Sequence, residues 1–175
     1  MKRTNFLLIN PWIYDFAAYD MWAKPVGLLT IASRLRRWGA QVRMWDAMAR
    51  TSRSGAKHAP AMRSYGTGKY FRVPVVKPSP LAHVGKTYSR YGLGPEALAE
   101  DLKNMKRPDG ILVTSLMTYW YRGVFEAIEQ AKRAFPGVPV ILGGIYASLC
   151  PEHAGRFSGA DYVLPAGSEG MLPDV

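Results

Sequence analysis

Four times along the chain a short apolar run gives way to an amphipathic helix before a fifth run closes the series, and no other feature restricts the fold so tightly. "NFLLIN" (Asn5 to Asn10) is followed after a long loop by "KPVGLLTIASRLRRWG", which opens on Pro25 and stops at Gly39. "QVRMWDA" alternates like a strand, and "PEALAEDLKNMK" (Pro95 to Lys106) carries acids early and lysines late, as a helix dipole favours. "GILVTSL" leads to a helix over Val124 to Phe135, "VPVILGG" to a short helix near Pro151 to Phe157, and "ADYVLPA" closes the series. Parallel neighbours need crossover connections, and right-handed crossovers put helices on both faces of the sheet. The pattern therefore predicts a three-layer α/β domain, flavodoxin-like (Rossmann-like), with a five-stranded parallel sheet in the order 2-1-3-4-5. One domain over residues 1–175 accommodates it.

In that order the ligand crevice opens over the carboxyl ends of strands 1 and 3, with strands 4 and 5 extending the rim. The loop after strand 1, "NPWIYDFAAYDMWAKP", brings Asn10, Trp12, Tyr14, Tyr19 and Trp22 there without a Gly-rich phosphate cradle, which argues against a mononucleotide site. A Mg²⁺-binding receiver site would need an acidic cluster at the ends of strands 1 and 3, where this chain has Asn10 and the pair Thr114 and Ser115. The exit of strand 3 is instead rich in large side chains: Met117, Tyr119, Trp120 and Tyr121. After strand 4, Gly143 and Gly144 allow another group to approach the backbone closely.

The net charge of +10 is concentrated in residues 50–93, which hold nine Lys/Arg and no Asp or Glu. This reads as a basic insertion after strand 2. Its interleaved basic and aromatic residues are also what a single-stranded nucleic-acid surface uses, so a nucleic-acid or partner-binding α/β domain is the alternative function. The lone Cys150 excludes an internal disulfide and any cluster held by several cysteines of this chain. His58, His83 and His153 form no metal-ligand spacing, and Asp15, Asp20 and Asp46 read as loop or cap residues that could also meet polar amides. No metal ligand set and no nucleophile with its base is visible, so the chain by itself is not expected to catalyse a reaction. It has no membrane-length apolar run and no signal-type start, which predicts a cytoplasmic protein.

"TSL" (Thr114 to Leu116), then 26 residues, then Gly143-Gly144 resembles the S-x-L and G-G elements of cobalamin-binding domains, with Thr in place of Ser. "LLINPW", "KPVGLLTIASRLRRWGAQV", "RYG", "TSLMTYWYRGVFEAI", "FPGVPVILGGIYASLCPEHA" and "GADYVLPAGSEG" extend the likeness. Together they resemble the amino-terminal domain of B12-binding radical SAM proteins. The resemblance implies a module that binds cobalamin (B12) at the carboxyl ends of strands 1, 3 and 4. Thr114, Ser115, Leu116, Gly143 and Gly144 would meet its nucleotide tail. Asn10, Trp12, Tyr14, Met117, Tyr119, Trp120, Tyr146, Ala166, Gly167 and Ser168 would line the corrin.

Two departures from the family pattern shape the expectation. Domains that replace the lower cobalt ligand with histidine carry D-x-H-x-x-G after strand 1, whereas this chain has "NPWIYDF", which implies base-off, His-off binding with aromatic side chains below the cobalt. The C-x-x-x-C-x-x-C motif of radical SAM enzymes is absent. The [4Fe-4S] cluster and S-adenosylmethionine are thus implied only for a parent B12-dependent radical SAM enzyme, with methyl transfer among its options, whose radical SAM domain would follow in cis or act as a split partner. The basic insertion would then be a docking arm over the corrin or toward that domain.

Overall fold

In a computed structural model the chain is described over residues 3–50 and 62–167. Strands β1 (Asn5–Asn10), β4 (Gln41–Asp46), β8 (Gly110–Val113), β9 (Val140–Leu142) and β10 (Tyr162–Val163) form the main sheet, in the order β10-β9-β8-β1-β4. Every pairing in it is parallel, with Phe6 opposite Val42 on one side and Gly110 on the other. The helices are α1 (Val26–Arg37), α2 (Pro95–Lys103), α3 (Tyr121–Ala134), α4 (Ile145–Leu149) and α5 (Pro151–Phe157).

Side-chain alternation along the central strands sorts the core into two layers. Leu7, Ile9, Ile111, Val113, Val140 and Leu142 point to one face and pack against Leu98 and Leu102 of α2 and Val124, Ala127, Ile128 and Ala131 of α3. Leu8, Leu112 and Ile141 point to the other face and meet Leu28 and Leu35 of α1. Leu28 and Leu35 stand seven residues apart on one stripe of a helix whose last turn carries Arg34, Arg36 and Arg37, the charge sign that complements its carboxyl end. Among the described residues α1 is the helix that covers this second face. The carboxyl ends of β8 and β9 face a cavity on this side, with α1 across it.

Numbered through all ten strands, the order departs from a plain five-strand series, because five short strands stand outside the main sheet. β2 (Ile13–Asp15), β7 (Ser89–Tyr91) and β6 (Arg72–Pro74) form an antiparallel sheet in the order β2-β7-β6, and β3 (Tyr19–Asp20) pairs with β5 (Gly68–Lys69). The loop after β1 and the described part of the basic segment are thus stitched together over the rim. Residues 51–61 of that segment lie outside the described residues. Two of its cations serve the fold: Arg50 lies 3.6 Å from Asp20 with both side chains buried, and Arg90 faces Glu96 at 3.4 Å.

The exit of β8 is more ordered than a loop. A 3-10 turn at Thr118–Trp120 runs directly into α3, so the helix expected from Val124 begins three residues earlier, at Tyr121. Gly123 sits where α3 crosses the loop after β1; a Cβ there would lie 2.0 Å from the Trp12 carbonyl oxygen. No helix among the described residues is long and apolar enough to cross a membrane.

Candidate functional site

Two cavities meet at Thr114, the first residue past β8. The larger, about 480 Å³, lies between α1 and the carboxyl ends of β8, β9 and β10, and its wall includes Thr114, Gly143 and Gly144. The smaller, about 240 Å³, lies between the loop after β1 and the exit of β8, walled by Asn10, Asp15, Ser115, Leu116, Tyr119 and Trp120 among others. The larger is within the usual range for small-molecule pockets. Thr114 is only 6% exposed, and its hydroxyl has no hydrogen-bond partner among the described residues.

The two glycines after β9 have different physical reasons. Gly144 has φ +90°, and a Cβ on it would stand 2.6 Å from both the Ser115 carbonyl oxygen and Thr114 Oγ1. Both the backbone conformation and the close approach of the β8 exit require glycine there. The approach is sealed by the Ile145 N–H, which donates to the Ser115 carbonyl at 2.9 Å. Gly143 is under no such demand: a Cβ there meets only the Leu164 carbonyl oxygen, at 3.6 Å. What its missing side chain leaves is open wall in the larger cavity.

Ser115 is buried, and its hydroxyl donates to the Met117 carbonyl at 2.7 Å, shaping the turn and not facing a ligand. Asn10 is buried and donates to Asp46 at 2.7 Å; burial raises the Asp46 pKa, with the hydrogen bonds from Asn10 and the Met48 N–H opposing the shift. Met117 and Tyr119 are exposed at the rim, as is Tyr121. Trp120 is half-buried and donates to Asp15 at 2.9 Å, with Tyr119 edge-on to it at 5.8 Å. Ala166 reaches the larger cavity, where its N–H donates to Ser148 Oγ at 2.8 Å. Gly167 is exposed beside it, and Ser168 lies outside the described residues.

Three aromatics expected to line the corrin are buried in the core, Trp12 while also forming part of the wall of the smaller cavity. Trp12 is fully buried and donates its indole N–H to Glu126 at 2.9 Å, and Tyr14 donates to the same carboxylate oxygen at 2.7 Å. Burial, followed by that carboxylate, pushes the Tyr14 phenol up to about 12. Tyr146 is 1% exposed, with its hydroxyl 2.6 Å from His153 Nδ1. The reason is common to all three: each ring fills the layer between sheet and helices, and its polar atom finds a partner on a helix. Sequence reasoning missed the opposite wall of the larger cavity, formed by Gly27, Leu28 and Ile31 of α1, with Leu164 and Pro165 after β10. Their apolar spacing reads as ordinary core, so no signal set them apart.

An open parallel α/β sheet with a pocket over its strand ends places the domain in the doubly wound class, whose ligand crevices lie at that edge. The fold is like that of a response regulator receiver protein from Sinorhizobium medicae WSM419, with a TM-score of 0.50 and 11% identity over 98% of this chain and 90% of that one. That likeness concerns the fold alone. No group of three or more His, Cys, Asp or Glu able to hold a metal ion exists among the described residues. The model of the B12 binding domain matches residues 86–175, slightly more than half of the chain, and the chain belongs to that family. No curated protein matches it.

Proposed function

We propose that this chain binds cobalamin across the carboxyl ends of β1, β8 and β9, with the nucleotide tail base-off in the cavity beside α1. The observation that carries the reading is Thr114, a residue 6% exposed whose hydroxyl has no partner among the described residues, next to Gly143, a glycine that the protein's own packing does not require. An apolar cavity of about 480 Å³ with one free hydroxyl suits a tail whose base is flat and largely hydrocarbon. The corrin would rest on the exposed rim of Met117, Tyr119 and Tyr121, with Leu116, Trp120, Ala166 and Gly167 at its margins. His-off binding is supported by the placement of the imidazoles: neither His83 nor His153 lines either cavity. His58 lies outside the described residues.

Bound cobalamin supplies a cobalt centre that can accept and donate a methyl group. The resemblance of the sequence to B12-binding radical SAM proteins supports a role as the cobalamin-holding part of such an enzyme, joined to or paired with a radical SAM domain that holds the [4Fe-4S] cluster and S-adenosylmethionine. The basic segment fits this better than it fits nucleic acid, because Arg50 and Arg90 are tied to Asp20 and Glu96 in the small sheets over the rim.

The test is to add hydroxocobalamin to the full chain, desalt, and record the absorption spectrum. Retained cobalamin with a base-off spectrum supports the reading; a spectrum of cobalt coordinated by a protein nitrogen overturns the His-off part. Salt-sensitive binding of single-stranded RNA with no retained cobalamin overturns the whole. Thr114→Ser should keep the affinity within about twofold, whereas Thr114→Val should weaken it roughly five- to tenfold, the worth of one hydrogen bond.

A further inference from the structure

The smaller cavity is lined by a carboxylate that forms no ion pair among the described residues. Of the neighbouring acids, Asp20 lies 3.6 Å from Arg50, and Asp46 accepts from Asn10 and the Met48 N–H. Asp15, at the cavity wall, is held by two neutral donors: the Phe16 N–H reaches Oδ1 at 2.7 Å, and the Trp120 indole N–H reaches Oδ2 at 2.9 Å. Neither donor brings a positive charge, and each carboxylate oxygen can accept a further hydrogen bond. Arg122, one turn into α3, packs over the Tyr14 ring at 4.6 Å. Asp15 is also fixed in place, because it ends β2 opposite Ser89 of β7 while Trp120 closes the 3-10 turn that runs into α3. Tyr119, exposed at the rim, stands edge-on to that indole at 5.8 Å, so the carboxylate is braced against the wall on which the corrin is proposed to rest.

A corrin carries its nucleotide tail and its propionamide arms on the same face of the ring. With the tail in the larger cavity, that face is turned toward the smaller one as well, because the two cavities share Thr114. Resting on the proposed cobalamin site, we infer that the smaller cavity receives one corrin propionamide, that its N–H donates to Asp15, and that the chain thereby refuses corrinoids whose arm at that position is still a carboxylate. The cavity, about 240 Å³, is ample for an arm of this size. A primary amide supplies the donor that Asp15 lacks, whereas a carboxylate in its place supplies none and sets two like charges side by side. Selection of this kind uses repulsion as well as attraction. It turns on the sign of the charge at Asp15, and so holds whatever else lines the wall.

The experiment compares cobalamin with its b-, d- and e-monocarboxylic acids, in each of which one propionamide is hydrolysed, by equilibrium dialysis against the full chain at pH 7, read at the corrin absorption. At least one acid is expected to bind roughly 10- to 150-fold more weakly than cobalamin, the range for a hydrogen bond to a charged group. The net charge of +10 would by itself draw the acids in, so a deficit marks a local carboxylate. The same comparison on Asp15→Asn completes a cycle: the deficit should shrink to within about threefold, even where the lost bond to Trp120 or Phe16 weakens every corrinoid alike. Asp15→Ser serves as the charge-free variant should Asp15→Asn not fold. Cobalamin and all the acids binding equally to the wild type overturns the inference while leaving cobalamin binding intact. An acid that stays as weak in the charge-free variant also overturns it, because another group then reads that arm. Retention of no corrinoid at all by the wild type removes the proposed function itself.

Discussion

Alanine placed at each of the adjacent glycines after β9 should separate the needs of the fold from those of a ligand. At Gly144 the backbone sits at φ +90°, ψ −170°, a region almost confined to glycine that costs an L-residue about 1–3 kcal/mol. The new methyl would also stand 2.6 Å from the Ser115 carbonyl oxygen and 2.8 Å from its nitrogen, backbone atoms held by the parallel sheet and unable to give way cheaply. Overpacking of that kind adds about 1–3 kcal/mol, so Gly144→Ala should lose about 2–6 kcal/mol in all. For a chain of this size the midpoint of thermal unfolding falls by about 2–4 °C per kcal/mol, a drop of roughly 4–24 °C. At Gly143 the methyl meets one carbonyl oxygen at 3.6 Å, an ordinary contact, and stability should stay within about 0.5 kcal/mol. Gly143→Leu goes further, projecting an isobutyl group toward apolar space, and should leave the fold standing while reducing cobalamin retention by at least about tenfold if the tail occupies that space. Urea and thermal unfolding measure the first effect, and dialysis with hydroxocobalamin measures the second. Wild-type stability in Gly144→Ala would refute the close-approach argument; undiminished cobalamin binding by a folded Gly143→Leu would refute the placement of the tail.

Glu126 accepts hydrogen bonds from both Trp12 and Tyr14, so Glu126→Leu should strand two buried donors and cost about 2–5 kcal/mol in urea unfolding, while Glu126→Gln, which keeps an acceptor, should cost about 1 kcal/mol. In Glu126→Gln the Tyr14 phenol, held at about 12, should titrate lower but remain above the ordinary tyrosine value, because burial is the first cause of its shift; ultraviolet titration of phenolate formation checks this. Asp46 has a folded pKa raised above the ordinary 3.8 by burial, so the folded state holds more protons than the unfolded state and this residue's contribution to stability falls as pH rises from about 4 through the raised value. Asp46→Asn keeps an oxygen for Asn10 and the Met48 N–H and removes the titration. Urea midpoints of variant and wild type should therefore shift in favour of the variant between pH 4 and 7, and a gap that stays constant with pH would contradict the burial argument.

The sheet-and-helix alternation was legible because each main strand and its following helix carry a local signal: four apolar residues in a row at Gly110–Val113, or leucines spaced along one helical stripe in α1. The small sheets over the rim were not. Tyr19–Asp20 with Gly68–Lys69, and Ile13–Asp15 with Ser89–Tyr91, are pairs of two or three residues whose partners lie far along the chain, too short for any period to show. The aromatics divided for a related reason. Trp12 and Tyr14 on one side, and Tyr119 and Tyr121 on the other, look alike in sequence, but only the first pair lies opposite Glu126 on α3, and a polar partner inside the fold is what turned them inward.

The same distinction bears on the most informative motif of the chain. Read as a unit, Gly143-Gly144 looks like a gap left for a ligand, and half of that reading concerns the protein alone: Gly144 is fixed by the Ser115 backbone pressing on it, and a chain that bound nothing would need it equally. What the fold does not demand is the remainder, a glycine with room for a side chain, a Thr114 hydroxyl with no partner among the described residues, and a wall from α1 beside the space between them. A folded protein gains from filling such a space with its own hydrocarbon at about 0.8 kcal/mol per buried methylene, and a leucine at position 143 is an available way to do so. Leaving it open forgoes that stability, a cost that the proposed binding of an apolar tail there would offset by restoring the buried contact.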